Sequence, residues 1–227
     1  MLFNFKKENI DTYLFELSKS LKRKIGRDKK IEIIIVGGGS ILINYDFRSG
    51  SNDIDAFYEY DITKEAINEV ADKYNLPNDW LNNDFIKTKS YSPKIVQYSL
   101  FYKTFSNILE VRTISKEYLL AMKLMSFRQY KNDLSDIVSI INEERKRNNF
   151  IDFKKINQAV INLYDDWSKF PTGAKEFIEK VLLIDDLNPY LAEIQKLESN
   201  NKKTVIEKIE NKANKDEIYN SLDKIIK

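Results

Sequence analysis

The chain contains no cysteine and no histidine. Without cysteine there is no disulfide framework, no thiolate zinc site and no thiol nucleophile. Without histidine, imidazole bases and ligands are excluded, and with them the serine–histidine–aspartate arrangement. The metal-binding atoms that remain are oxygens, which suit magnesium, manganese or calcium. Charge of one sign is not in excess either. A total of 37 basic side chains against 35 acidic ones leaves a formal +2, so no global field draws the chain onto nucleic acid or a membrane surface. No apolar run approaches the roughly 20 residues that a membrane-spanning helix needs. The start, "MLFNFKKENIDTYLFEL", mixes charges into its apolar residues and lacks a signal-peptide core. The simplest reading is a cytoplasmic protein whose chemistry, if it has any, is carboxylate chemistry.

What is present is enough for a core: 227 residues, 42% of them hydrophobic, make one large domain or two small ones. Helical spacing of Tyr13, Leu14, Leu17 and Leu21 predicts a helix over 11–24 with Asp11 as its N-cap. "IEIIIVGGG" reads as a buried strand stopped by glycine, "SILINYDF" as a short helix, and "NDIDAFYEY" as a second strand. A helix over 63–74 follows, then a turn-rich stretch, "LPNDWLNNDFIKTKSYSP". Two more strands are expected in "KIVQYSLFYKT" and "NILEVRTI", turning at Ser106 and Asn107. From Ser115 on the pattern is helical, broken near Pro171–Gly173 and Asn188–Pro189. Beyond Glu198, apolar Val205, Ile206, Ile209, Ile218, Leu222 and Ile225 keep helical spacing. Strands first and helices afterwards predict an α/β (α+β) core over 1–115, a mixed sheet with flanking helices, followed by an all-helical C-terminal domain over 116–227.

The chemistry concentrates in "VGGGSILINYDFRSGSNDIDA", residues 36–56. A P-loop needs lysine followed by serine or threonine, and a dinucleotide fingerprint needs glycine where Leu42 stands, so neither fits. Two readings stay open: a tight strand–helix corner, or a glycine turn whose amides and helix N-terminus hold phosphate. On a strand, Asp53 and Asp55 point to the same face while Ile54 points to the other. Neighbouring carboxylates raise each other's pKa unless a cation sits between them. Magnesium resolves such a conflict, taking one or two carboxylates plus substrate phosphates. Glu110 in "ILEVR" could complete a trio if its strand lies beside the other two, or could form an in-sheet ion pair with lysine or arginine.

Taken together, "VGGGS", "RSGSNDIDA" and, downstream, "LPNDWLN" and "EYLLAMKLMSFRQYKNDLSDI" resemble the nucleotidyltransferase-fold superfamily over residues 30–145. The flavour is similar to bacterial abortive-infection and toxin-type nucleotidyltransferases. The resemblance implies that Gly38, Gly39 and Ser40 hold a triphosphate, and that Asp53, Asp55 and Glu110 bind Mg2+ (or Mn2+). It further implies that Arg48 and Ser51 contact phosphate and that Lys123 meets the nucleotide. The implied reaction is two-metal transfer of a nucleoside monophosphate from a nucleoside triphosphate to an acceptor hydroxyl, by in-line attack on the α-phosphorus. A tRNA 3′ end, another RNA or a protein is the implied acceptor, and a cognate antitoxin an implied partner.

Other residues read more plainly. Asp133 fits helix N-cap chemistry, whereas Asp136 stays open between that and the "KDxxDI"-like motif. Arg128 and Lys131, and the later Lys202, Lys203, Lys208, Lys212 and Lys215, read as solvated faces. Trp80, Tyr91, Tyr98 and Tyr102 could stack bases or pack inside. Two other functions compete: a binding or regulatory protein that keeps this fold without turnover, and carboxylates holding structural calcium, although the calcium-loop pattern is absent.

Overall fold

The computed structural model describes residues 4–58 and 61–225, and their side chains apart from those of 61, 62 and 209–225. Glu59 and Tyr60, the end of the expected second strand, lie outside the described residues, as do the side chains of Ile209, Lys212, Lys215, Ile218, Leu222 and Ile225.

Strand β1 (Ile31–Ile35) is almost continuously apolar because both of its faces are covered. Ile33 and Ile35 belong to one buried cluster, Ile34 and Val36 to another. The first cluster joins the sheet to helices α1 (Lys7–Ile25) and α3 (Asp61–Tyr74), the second to the helices that follow the sheet. Between β1 and α3 come helix α2 (Gly37–Asn44) and strand β2 (Ile54–Phe57); β3 (Leu81–Asn82), β4 (Ser99–Phe105) and β5 (Leu109–Ile114) complete a five-stranded sheet in the order β3-β2-β1-β5-β4. Strand β1 runs parallel to β5 and antiparallel to β2; β2 and β3 are parallel, and β4 and β5 antiparallel. The architecture is therefore α/β with a mixed sheet and flanking helices, as expected.

Helices α4 (Lys116–Ser126), α5 (Asp133–Lys146), α6 (Phe153–Tyr164), α7 (Ala174–Leu183) and the long α8 (Leu187–Ile225) follow. Residues from α4 to α7 share a buried cluster with Ile34, Val36 and Ile114 of the sheet, so the core runs across residue 115 without a break. Pro189 stands in the first turn of α8, where a missing N–H costs nothing.

Several local readings change. Helix α1 begins at Lys7, and Asp11, inside it, accepts hydrogen bonds from the Tyr102 hydroxyl (2.8 Å) and Lys103 Nζ (2.7 Å) of β4. Residues Pro93–Tyr98 form a 3-10 helix in place of the start of a strand, with proline at its first position and Ser92 accepting from the Lys94 N–H. The hairpin between β4 and β5 turns at Ser106 and Asn107, both at positive φ (52° and 57°), the signature of the tight turn that matches strand twist. Of the four aromatics, Trp80 is fully buried and donates to the Ile67 carbonyl, whereas Tyr91, Tyr98 and Tyr102 are half-buried, Tyr98 stacking on Tyr118 at 4.0 Å.

Candidate active site

At the C-terminal end of β1 the chain turns through Gly37, whose φ of 57° favours glycine, and enters α2. A side chain on Gly37 would also meet a carboxylate, because its Cβ would lie 3.3 Å from Asp55 Oδ2. A Cβ on Gly38 would sit 2.8 Å from Ser51 Oγ and 3.1 Å from the Arg48 guanidinium. The glycine corner is thus bare because the acidic strand and the Arg48–Ser51 loop press against it. The Val36 N–H donates to the Asp55 carbonyl at 2.9 Å, fixing β2 beside the corner.

Asp55 is partly buried and Asp53 exposed, and both line the cleft that opens here. Neither carboxylate accepts a hydrogen bond or forms an ion pair with any described side chain or backbone group. Burial, and then the neighbouring Asp53 charge, push the Asp55 carboxyl up to about 6; Lys123, Arg128 and Lys131 pull the other way without cancelling the rise. An acid in this state is short of one positive charge, which is the condition a divalent cation relieves.

The opposite wall is a charge network. Lys123 of α4 is buried and reaches Asp133 Oδ1 (2.9 Å) and Asp136 Oδ2 (2.8 Å) at the start of α5. Arg128 Nε contacts Asp133 Oδ2 at 2.7 Å, and Arg48 Nη1 contacts Asp136 Oδ2 at 2.9 Å. The two acids hold Lys123 protonated against its own burial, and Lys123 with Arg128 lowers Asp133 to about 2 although burial opposes this. Asp133 is therefore a partner of the cleft's cations and not the helix cap expected of it. The cap comes from far along the chain: Glu198 Oε1 of α8 accepts from the Leu134 and Ser135 N–H groups at 2.9 and 3.2 Å.

Three expected positions move. Glu110 pairs in register with Glu32, while the strand end beside the corner is occupied by Thr113, opposite Ile35. At about 3.3 Å per residue, Glu110 stands roughly 10 Å back along β5. It forms the in-sheet ion pair with Arg112 (2.9 Å), so it does not join Asp53 and Asp55. Among the described residues no group of three or more acidic side chains could hold a metal. Ser40 is fully buried, its hydroxyl paired with Asn44 Nδ2 at 3.3 Å, and it does not face the cleft. Gly39 is buried too; its Cα packs where a Cβ would meet Ile35 and Ile54, which makes it a packing residue. Gly38, Arg48, Ser51 and Lys123 do line the cleft.

Arg128 and Lys131, expected as a solvated face, line the cleft on the side of Asp55, and Tyr130 and Lys202 join them. No local pattern marks Lys202: it stands between Asn201 and a second lysine, Lys203, and only the packing of α8 against α5 brings it here. On the other side of the aspartate pair the cleft continues over Phe85, Leu119 and Met122 towards Asn82, Thr88 and Ser90. The two arms measure about 440 and 250 Å3, and the larger falls in the range of small-molecule sites.

Residues 12–162 match the model of a family described as nucleotidyltransferases of unknown function (DUF6036). No curated protein and no solved structure matches the chain.

Proposed function

Because the chain belongs to this family of nucleotidyltransferases of unknown function, we propose that the cleft transfers a nucleoside monophosphate from a nucleoside triphosphate to an acceptor hydroxyl, with Mg2+ as cofactor. The observation that carries the reading is the state of Asp53 and Asp55: adjacent, at the glycine corner, and without a salt bridge or hydrogen bond to any described side chain.

Two carboxylates suit one divalent ion whose other positions are filled by phosphate and water oxygens. Asp53 and Asp55 would hold it, and when bound it supplies neutralisation of phosphate charge and a lowered pKa for the attacking hydroxyl. With Glu110 elsewhere, Asp53 and Asp55 stand alone as its protein ligands. Gly37 and Gly38, at the start of α2, line the cleft, and the N–H groups of that helix start favour an anion. Lys123, Arg48 and Arg128 are fixed by Asp133 and Asp136 before any substrate arrives, so they contribute positioned charge with little reorganisation. The acceptor is the 3′ hydroxyl of a tRNA or other RNA, or a protein hydroxyl, in keeping with the likeness to toxin-type and abortive-infection nucleotidyltransferases.

The test incubates the protein with each labelled nucleoside triphosphate, Mg2+ and total RNA or protein. Asp53→Ala should lose transfer while keeping the fold, and Glu110→Gln should keep transfer. Transfer by Asp53→Ala at the wild-type rate would remove the catalytic reading, and the absence of transfer with every triphosphate would favour a fold retained for binding alone.

A further inference from the structure

Extending the nucleotidyltransferase reading, we infer that Lys202 of the C-terminal helix, with Lys131, grips the outer phosphates of the triphosphate, so that α8 forms a wall of the nucleotide site.

The two arms of the cleft differ in charge. The arm towards β3 adds Asp79 and Asp84 to the shared residues and no cation of its own. The arm towards α8 adds two cations, Arg48 and Lys202, and one acid, Asp133, which is already paired with Lys123 and Arg128. A polyanion entering at the aspartate pair is repelled by the first arm and drawn into the second.

Within the second arm most positive charge is already committed. Arg48, Lys123 and Arg128 are ion-paired to Asp133 or Asp136. The side-chain ammonium groups of Lys131 and Lys202 form no ion pair or hydrogen bond with any described residue, although the charge of Lys131 is felt by Asp55, and both side chains are exposed at the cleft. They are the two ammonium groups able to turn towards phosphate without breaking an existing pair.

Lys202 owes its place to two anchors on α8. Glu198, one helical turn earlier, is buried against the first turn of α5. Asn201 Nδ2 donates to the Gln129 carbonyl at 3.0 Å, in the loop that carries Lys131. Both lysines therefore sit on segments tied to each other. The side chain itself is exposed and unpaired among the described residues, which suits a point charge that follows the triphosphate and releases pyrophosphate.

The experiment measures binding of inorganic tripolyphosphate, and separately the KM for the nucleoside triphosphate, in wild type, Lys202→Gln and Lys203→Gln. Lys203 carries the same charge but lies outside the cleft lining. The expected result for Lys202→Gln is about a fivefold loss of tripolyphosphate affinity, as for one partly exposed charge contact. The same rise in KM should follow, with Lys203→Gln unchanged. Equal behaviour of the two variants, or no binding of tripolyphosphate by wild type, overturns the inference while leaving Asp53-dependent transfer intact. Tripolyphosphate binding that depends on Lys202 in a protein that transfers no nucleotide would do the reverse.

Discussion

Replacing Asp55 by asparagine should make the metal-free protein more stable at neutral pH while removing its activity. The carboxyl is raised from 3.8 to about 6 by burial and by the charge of Asp53. A carboxylate whose folded pKa lies above its unfolded value stabilises the fold fully below about pH 4, and that contribution is lost as pH rises through 6. One pKa unit is worth about 1.4 kcal/mol, so the loss above pH 7 amounts to roughly 3 kcal/mol. Asparagine resembles the protonated carboxyl and escapes this loss. Urea unfolding of both proteins, without divalent ions, should give equal stabilities near pH 4 and a gap in favour of Asp55→Asn that opens between pH 4 and 7. Added Mg2+ at pH 8 should then stabilise wild type and leave the variant unmoved, since ligand binding adds stability only where a site exists. A variant that is less stable than wild type at pH 8 without metal would refute the reasoning, because it would mean that the ionised Asp55 already has a stabilising partner.

Gly39→Ala should cost about 1–3 kcal/mol by overpacking, since the new methyl would lie 2.8 Å from Ile35 Cγ2 and 3.0 Å from Ile54 Cγ2; a thermal melt unchanged from wild type would count against that packing. Glu198→Ala leaves two N–H groups at the start of α5 without an acceptor and should cost about 2 kcal/mol in urea unfolding. Glu198→Gln, which keeps a carbonyl acceptor, should cost less, and equal losses for both would argue against capping.

The parts of the fold that could be read in advance are those set by local pattern. The apolar run of β1 and the glycine stop each depend on a few adjacent residues, and the arrangement follows them; β2 begins only at Ile54, with Asp53 in the bend before it, yet both aspartates line the cleft. Glu110 shows where local pattern ends. Its parity on β5 says which face it takes, but its height in the sheet depends on register with β1, a non-local pairing. Ser40 fails for a related reason: α2 begins three residues earlier than its propensity suggests, at Gly37, and this turns the serine inwards. Asp133, Arg128 and Lys202 acquire their roles from partners on other elements, and an amphipathic repeat carries no record of which partner it meets.

The ion-pair network also limits how this protein can change over time. Arg48 and Asp136 are 88 positions apart yet share one contact, and Asp136 in turn shares Lys123 with Asp133. Losing any one member leaves at least one of the remaining charges with fewer counter-charges than it has now, so its burial is less fully offset. Descendants of this chain should therefore keep the five residues together or exchange them in concert. Drift at these positions is then correlated drift.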